Sequence, residues 1–330
     1  MVRLRGVINK IVITFLIVGG TLLGFQRASA ASGEYMSWGI EKMGLDKAIS
    51  AIDEKGNAPN ILVAVIDTGV NEAVFRERFP DRNLSGYCVA VCEEGMIDKV
   101  NQGTHTIGTI AEGTSDNVDL LMIRVSDEHE FSLRALLTAI DYAISQGADV
   151  IDINAGLFFD FDDETYNEEE GMTWGEIYQQ AWQIEKDKID EAVAAGAIVV
   201  SIAGNDGESE IHYPASYDNV ISASAAESNL EIANFSNHNE HVDFAAPGAG
   251  IMGLNASYGR EGQGPTTQDQ GTASAAAHLT AAVADILSFN KDLSFDEMME
   301  LLKSKAVDLG ETGKDEYYGN GFVDFSKAAL

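Results

Sequence analysis

Three polar side chains stand at the ends of short apolar runs in the sequence. Asp67 ends "ILVAVID", Asn154 ends "DVIDIN" and Asn205 ends "AIVVSIAGN". A single Asp or Asn at such a point usually forms a turn. Three of them at one edge of a parallel sheet favour a common site, because ligand sites in such sheets lie outside the carboxyl ends of the strands.

The segment "QGTASAAAHLTAA" (270–282) is the second feature with chemical meaning. A tight Gly-Thr turn leads into a helix whose first turn holds only small residues, which is a place where an enzyme positions a nucleophile. Ala273 occupies the position where a hydroxyl is expected. The sequence therefore has the frame of a nucleophilic site without the nucleophile.

The elements that must position these residues are predicted from runs that are apolar on both faces. Such strands lie in a parallel sheet that helices cover on both sides. The runs span residues 61–67, 120–125, 149–154, 197–205 and 220–226. They alternate with helical patterns at 132–147 and 176–196, and this order predicts a three-layer, doubly wound α/β fold with a mostly parallel sheet. No repeat or linker divides the chain, so residues 31–330 are predicted to form a single domain.

Residues 1–30 have the layout of a cleavable secretory signal peptide. Three basic residues precede the apolar run "IVITFLIVGGTLLGF", and a small-residue "ASA" ends at Ala30. An uncleaved membrane anchor is the competing interpretation, but the run is shorter than the roughly 20 residues of a spanning helix. We therefore expect a secreted, extracellular chain that begins near Ala31 and has no stable membrane span.

Removal of this segment leaves 17 basic and 53 acidic side chains, a net charge of −36. This charge argues against nucleic acid as a partner. Solubility is the preferred explanation of the charge, and attraction of cationic peptides or divalent ions is the alternative. Cys88 and Cys92 would form a disulfide in an oxidising compartment if the residues between them turn, because a straight strand would hold their Cα atoms about 13 Å apart. A metal site built on these two cysteines lacks further ligands nearby.

Six motifs in order resemble those of the subtilisin-like serine proteases, the subtilases of peptidase family S8. "VAVIDTGVN" (63–71) is similar to the segment with the family's catalytic aspartate, which falls on Asp67, and "SIAGNDG" (201–207) to that with the oxyanion asparagine, which falls on Asn205. The other motifs are "GTHTIGTIAEG" (103–113), "VDFAAPGAGI" (242–251), "GTASAAAHLTAA" (271–282) and "YYGNGFVDFSKAA" (317–329). The resemblance runs from about Met36 to the C-terminus and implies the subtilisin fold.

Two catalytic positions depart from the family pattern. Gln102 stands at the histidine position and Ala273 at the serine position, while Asp67 is retained. Glutamine does not titrate near neutrality and alanine has no oxygen, so the general base and the acyl-enzyme are both lost. We expect the Gln102 amide to donate to Asp67 as an architectural hydrogen bond. A rebuilt dyad of His105 and Ser274 would need a shifted backbone, because one helical step points Ser274 off the line of attack.

No cofactor or metal is expected. The segment "EGTSDNVD" (112–119) is shorter than the calcium-binding excursion of the family, so the calcium site is not carried over. His278 resembles a structural position of the family. Four other histidines fall in polar stretches and are predicted to face solvent: His129, His212, His238 and His241. The likeness to a mature N-terminus begins at residue 32, so no prodomain is expected.

Members of the family bind substrate as an added strand between two edge segments, through backbone hydrogen bonds that do not depend on the triad. The matching positions here are Glu128, His129 and Glu130 on the first edge and Asn154, Ala155 and Gly156 on the second. The carboxylates would give the first edge a negative charge, which favours basic peptides.

An acidic insertion with interleaved aromatics, "FFDFDDETYNEEEGMTW", follows at 158–174. Its composition suits a solvated loop, a cleft wall or lid that selects basic peptides, or loose divalent-ion binding, although EF-hand spacing is absent. We predict a secreted, catalytically inactive subtilase (a pseudoprotease) that binds a peptide or protein as a regulator or decoy. The alternatives are an active serine endopeptidase with a rearranged or altered site, and a structural envelope protein whose own loop fills the cleft.

Overall fold

The computed structural model describes residues 12–14, 37–89, 92–126 and 130–327. The predicted signal segment, residues 1–30, lies outside the described residues except for one short strand at Val12–Thr14. The secretory signal and a chain start near Ala31 therefore stay predictions.

The strands, numbered in chain order, are β1 Val12–Thr14, β2 Ile61–Asp67, β3 Leu84–Cys88, β4 Val118–Arg124, β5 Glu130–Ser132, β6 Val150–Ile153, β7 Leu157–Phe158, β8 Tyr166–Asn167, β9 Met172–Thr173, β10 Ile198–Ile202, β11 His212–Tyr213, β12 Val220–Ala226, β13 Phe244–Pro247, β14 Ile251–Leu254, β15 Thr266–Asp269, β16 Ala306–Val307 and β17 Phe322–Val323. The helices are α1 Trp38–Met43, α2 Leu45–Lys55, α3 Glu72–Arg78, α4 Gln102–Glu112, α5 Leu133–Ser145, α6 Trp174–Ala194, α7 Thr272–Phe289 and α8 Phe295–Lys305.

Nine strands form the central sheet in the order β16-β17-β13-β12-β10-β6-β2-β4-β3. The pairs are parallel except at one edge, where β16 and β17 are antiparallel. After β2 the chain adds β3 and β4 on one side and then returns to add β6, β10 and β12 on the other. The strand order thus reverses at β2, and such a switch point opens a crevice at the carboxyl ends of the strands. The predicted doubly wound α/β fold is confirmed.

Two apolar cores lie on the two faces of this sheet because its central strands bury both of their sides. Val63 and Val65 of β2 belong to the core that contains α4 and α7, whereas Ala64 and Ile66 belong to the core that contains α5 and α6. The five predicted apolar runs are β2, β4, β6, β10 and β12, and the two predicted helices are α5 and α6. Periodicity therefore located the elements that carry the site.

Helix α7 lies in the middle of one core, against α4 and strands β10, β12 and β13. Its first turns consist of alanine and other small residues, which allow this close packing. Among the described residues, α7 is long and apolar enough to cross a membrane, but 89% of that stretch is buried inside the protein. Such burial is typical of the core helix of a folded domain.

The segment at 112–119, where the resemblance places a shortened calcium loop, is short in the structure. The side chain of Arg82 lies against it. The guanidinium donates to the carbonyl oxygens of Thr114 at 2.7 Å and Ser115 at 2.9 Å, and to Thr114 Oγ1 at 2.7 Å. The Arg82 side chain is 4% exposed. Three oxygen atoms of this segment therefore accept hydrogen bonds from one buried cationic side chain.

Cys88 ends β3 and forms a disulfide with Cys92, with the two Cα atoms 5.6 Å apart. A short 3₁₀ segment follows at Cys92–Glu94. The Cα separation lies below the roughly 7 Å that a disulfide allows.

Candidate active-site cleft

Asp67 is the last residue of β2 and is fully buried at the switch point of the sheet. Its Oδ1 accepts the backbone N–H of Thr68 at 2.7 Å, while its Oδ2 is buried without a hydrogen-bond partner among the described residues. Burial, reinforced by the nearby carboxylates of Asp98 and Asp152, raises the pKa of Asp67 well above its usual range. The surroundings of Asp67 therefore favour its neutral form.

Gln102 is the first residue of α4, and its side chain is directed to β6. Its Nε2 donates to the carbonyl oxygen of Asn154 at 3.3 Å, and its Oε1 is buried without a partner in the described part of the chain. The expectation that this amide donates to Asp67 is wrong, because the backbone carbonyl of Asn154 takes the donor. Helix α4 comes this close because Gly103 has no side chain: a Cβ there would overlap the carbonyl oxygen of Gly69.

Asp98 is a buried carboxylate that the sequence analysis missed, and it fixes the start of α4. Its Oδ2 accepts the backbone N–H of Thr104 at 2.8 Å, and its Oδ1 accepts two further backbone N–H groups. Thr68 Oγ1 also donates to Oδ1, at 3.0 Å, and links this cap to the end of β2. A carboxylate at a helix N-terminus complements the helix dipole. The signal in the sequence that could have predicted this role is an acidic residue shortly before the helix.

Asp152 of β6 is a second buried carboxylate that the sequence analysis missed. Its Oδ2 accepts from Asn154 Nδ2 at 2.6 Å, and its Oδ1 accepts from Thr280 Oγ1 of α7 at 3.0 Å. Burial raises the pKa of Asp152 to about 7. The Asn154 side chain therefore points into the protein, and its backbone N–H and carbonyl are bonded to Ile66 and Gln102, so a ligand at the second predicted edge would meet the backbone of Ala155 and Gly156.

Asn205 follows β10, and its side chain contacts the first residue of α7, the helix that carries Ala273. Asn205 Oδ1 accepts the backbone N–H of Thr272 at 2.8 Å and the Thr272 hydroxyl at 2.9 Å. Its amide nitrogen has no hydrogen bond to the described residues and remains a donor, which is the property that an oxyanion position needs. Ala273, the second residue of the helix, is partly buried and packs against the core.

His105 and Ser274, the residues of the rebuilt dyad, have different surroundings. His105 is buried, and its Nε2 lies 3.1 Å from the carbonyl oxygen of Ile251 in β14. Ser274 is also buried, and its carbonyl oxygen accepts a hydrogen bond from His278 Nδ1 at 2.7 Å. Burial lowers the pKa of His278 to about 4, so this ring is a neutral packing group. Within the described residues, no hydrogen bond joins His105 to Ser274.

The first predicted edge of the cleft is described in part. Glu128 and His129 lie outside the described residues, and Glu130 begins β5. The backbone of β5 pairs antiparallel with β1, with Thr14 opposite Glu130 and Val12 opposite Ser132. This edge therefore accepts an added antiparallel strand, and here the strand is provided by residues 12–14.

The acidic insertion at 158–174 is folded against α6. Strand β7 pairs with β11, and β8 pairs with β9 in a small hairpin. Phe159 is buried, with its ring centroid 5.7 Å from that of Tyr213 and 6.2 Å from that of Tyr178. Most of the carboxylates of the insertion are exposed. The insertion thus forms an acidic surface that its aromatic residues anchor.

The family model of the subtilases, Peptidase S8, matches residues 58–321, and the chain belongs to this family. Subtilisin DY of Bacillus licheniformis is 30% identical over 306 residues, which cover 88% of this chain and 98% of that protein. A lanthipeptide protease structure has a TM-score of 0.70 at 20% identity and covers 87% of this chain and 91% of its own. The epidermin leader peptide processing protease of Staphylococcus aureus has a TM-score of 0.65 at 21% identity, over 82% of this chain and 76% of its own. These structures share the fold.

Proposed function

We propose that this subtilase is a secreted, catalytically inactive member that binds a peptide or protein ligand as a regulator or decoy. The observation that carries the proposal is the pair Gln102 and Ala273 at the positions where the family has its histidine and serine. Without a titratable ring and a hydroxyl, neither proton transfer nor an acyl-enzyme is available. An oxyanion hole and binding alone accelerate hydrolysis by only about 10³ to 10⁴ over water.

The contacts around these positions support the loss of chemistry. The Gln102 amide is hydrogen-bonded to the Asn154 carbonyl, and His105 Nε2 to the Ile251 carbonyl. Asp67, which in an intact triad stabilises a charged imidazole, has a pKa raised well above its usual range by burial. Within the described structure, no cationic ring stands beside Asp67 to lower this pKa, because Gln102 carries no charge.

The features that bind a peptide backbone are independent of these losses. The β5 edge pairs with an antiparallel strand, and peptide recognition by strand addition uses the same backbone hydrogen bonds. The net charge, Glu128 and Glu130 at the first edge, and the exposed carboxylates of 158–174 all favour a basic ligand over nucleic acid.

Secretion is part of the proposal and rests on the predicted signal at 1–30 together with the Cys88–Cys92 disulfide, since disulfides persist in oxidising compartments. Because β1 lies within that signal and occupies the β5 edge, cleavage near Ala31 would free this edge for a ligand. We also propose that the domain needs no calcium at residues 112–119, where the Arg82 guanidinium is hydrogen-bonded to the loop carbonyls.

The binding experiment compares the chain that begins at Ala31 with the 330-residue chain. Fluorescent Lys/Arg-rich peptides are titrated by anisotropy from low to high salt, with acidic peptides of equal length as the control. We expect the shorter chain to bind the basic peptides more tightly, and the affinity to fall with salt and with the double change Glu128→Gln/Glu130→Gln. Equal binding of acidic and basic peptides, or affinity independent of salt, would contradict a basic ligand.

The second candidate function is an active endopeptidase, which membership of the subtilase family favours. A panel of fluorogenic peptides and a serine-directed fluorophosphonate separate the two functions. We expect no turnover and no covalent adduct on the unaltered protein. Turnover that the fluorophosphonate blocks would overturn the inactive assignment, whereas it would leave a basic specificity intact.

A further inference from the structure

Asp206, Glu210 and His212 form a cluster beside the second edge of the cleft. One side-chain ligand atom from each residue lies within 4.8 Å of the others. The sequence predicted that His212 faces solvent, and this is wrong: its side chain is 13% exposed. The ring is enclosed because β11, which His212 begins, pairs with β7 directly after the second cleft edge.

The His212 ring is held between two glycines. A Cβ at Gly204 would lie 2.8 Å from Nδ1, and a Cβ at Gly156 would lie 3.0 Å from the same atom. The other ring nitrogen, Nε2, faces the carboxylates, at 3.4 Å from Asp206 Oδ2 and 3.6 Å from Glu210 Oε2. The imidazole therefore directs one nitrogen to the two carboxylates from a fixed position.

Asp206 is positioned by Asn237, which is fully buried. Asn237 Oδ1 accepts the backbone N–H of Asp206 at 2.7 Å, and Asn237 Nδ2 donates to Asp206 Oδ2 at 3.3 Å. The backbone N–H of Asn237 in turn donates to the carbonyl oxygen of Gly204 at 3.0 Å. Hydrogen bonds of this kind orient the ligands of metal sites.

We propose that Asp206, Glu210 and His212 bind a divalent transition metal ion of the zinc class. Ligands at bond lengths of about 2.0–2.1 Å in a tetrahedral site lie about 3.4 Å apart, which matches the two separations at His212 Nε2. One imidazole with two carboxylates is a donor set of zinc and its neighbours, whereas calcium takes six to eight oxygen atoms. The three ligands leave a fourth position for water or for a group of a bound peptide.

The charge of the cluster favours a cation. With a neutral imidazole the two carboxylates carry a charge of −2, and within the described residues neither is paired with a lysine or arginine. The competing interpretation is an ion pair between a protonated His212 and the carboxylates. The metal site and the ion pair differ in whether zinc binds. The metal proposal does not depend on whether the cleft cleaves peptides.

The test uses the complete protein, stripped with a chelator, and two metal probes. Calorimetry with zinc chloride is expected to give one site, and Co²⁺ is expected to show the visible absorption of tetrahedral coordination. His212→Ala should weaken zinc binding by roughly 100-fold or more, since even outer-shell changes cost 10–100-fold. Glu210→Gln, at a half-exposed side chain that is safe for folding, should weaken it by at least about tenfold.

The matched control is His241→Ala. His241 Nε2 lies 3.9 Å from Glu240 Oε1 but belongs to no three-ligand cluster of the described residues. This variant should bind zinc as the unaltered protein does. The proposal is overturned if no single zinc site is found, if Glu210→Gln and His212→Ala both leave the affinity unchanged, or if calcium binds as tightly as zinc. Because no peptide is present, failure here is distinct from failure of the peptide-binding proposal.

Discussion

Two parts of the site differ in how many of their buried polar atoms have hydrogen-bond partners. The first, called the corner, consists of Asp67, Gln102 and Asn154, and the second, called the frame, consists of Asp98 and Asn205 beside it. Each of these three side chains has one buried oxygen without a partner among the described residues. In the frame, Asp98 accepts four hydrogen bonds and Asn205 Oδ1 accepts two. An unsatisfied buried polar atom costs about 1–3 kcal/mol, so Asp98 and Asn205 stabilise the structure next to the corner, whereas the corner side chains are only partly satisfied.

This difference indicates which parts of a subtilase site serve the fold. The Asp98 carboxylate and the Asn205 amide oxygen fix the starts of α4 and α7 whether or not a reaction occurs. Under the proposed function, Gln102 and Ala273 stand where the family has its histidine and serine, so no imidazole or serine hydroxyl is offered to the corner. The comparison can be tested from both sides, by restoring the corner and by damaging the frame.

Restoring the corner should have the largest effect. The double change Gln102→His/Ala273→Ser puts a base and a nucleophile into an intact frame, so we expect peptide turnover at least about 10³-fold above that of the unaltered protein. Fluorophosphonate labelling followed by mass spectrometry measures the new nucleophile. Ala273→Ser alone is the control and should stay far below the double variant. No gain in the double variant would show that the frame is displaced.

Glu185 tests whether a buried carboxyl outside the corner behaves in the same way. It is fully buried in α6, its Oε2 accepts the Tyr217 hydroxyl at 3.2 Å, and its Oε1 has no partner in the described structure. Burial raises the pKa of Glu185 from 4.5 to about 8. The folded protein therefore keeps this proton to a higher pH than the unfolded chain does.

The contribution of Glu185 to stability is complete below about pH 4.5 and is lost as the pH rises to about 8, by up to about 4 kcal/mol. Glu185→Gln should remove this part of the decline, as measured by urea unfolding at pH 5 and pH 8. Asp152 contributes a decline of the same sign up to about pH 7, so some slope remains. An unchanged slope in the variant would mean that Glu185 ionises freely in the folded state.

Outside the cleft, the buried Arg82 guanidinium is the group whose removal should lower the free energy of unfolding the most. Arg82→Met removes three hydrogen bonds from a buried guanidinium and should lower the free energy of unfolding by about 3 kcal/mol. Lys303→Met is the control: Lys303 is 41% exposed, its ion pair with the exposed Glu300 is 3.0 Å long, and the change should cost less than about 1 kcal/mol. Calcium added to the metal-free protein should leave the Tm unchanged. A higher Tm with added calcium would reveal a calcium site.

Substitutions of Asn205 should have the smallest effect on stability. They separate two roles of its side chain, which are the oxygen acceptor for Thr272 and the amide donor at the proposed oxyanion position. Asn205→Ala removes the acceptor of two hydrogen bonds from Thr272 at the start of α7 and should cost about 1 kcal/mol in urea unfolding. Asn205→Asp keeps an oxygen acceptor for Thr272 and should cost less, but it loses the amide donor. In the restored double variant, both changes should reduce turnover by about 10² to 10³. Full turnover with Asn205→Asp would exclude Asn205 as an oxyanion donor.

Much of the fold was predictable because the signals are local. The apolar runs and helical periodicity located β2, β6, β10, α5 and α6, and these elements place Asp67, Asn154 and Asn205 at the carboxyl ends of neighbouring strands. Asp98 and Asp152 were missed because a single acidic residue near a turn or in a strand has no special pattern. Their roles come from burial and from partners such as Thr280, which lies 128 positions away in the chain.

By itself the sequence determined the family and its fold, because motif order and residue type do not depend on packing. Only the tertiary structure decided that the Gln102 amide meets Asn154 rather than Asp67, that β1 lies on the β5 edge, and that His212 faces two carboxylates. The physical reason is that hydrogen-bond partners and burial are set by distances of a few ångströms between segments far apart in the chain.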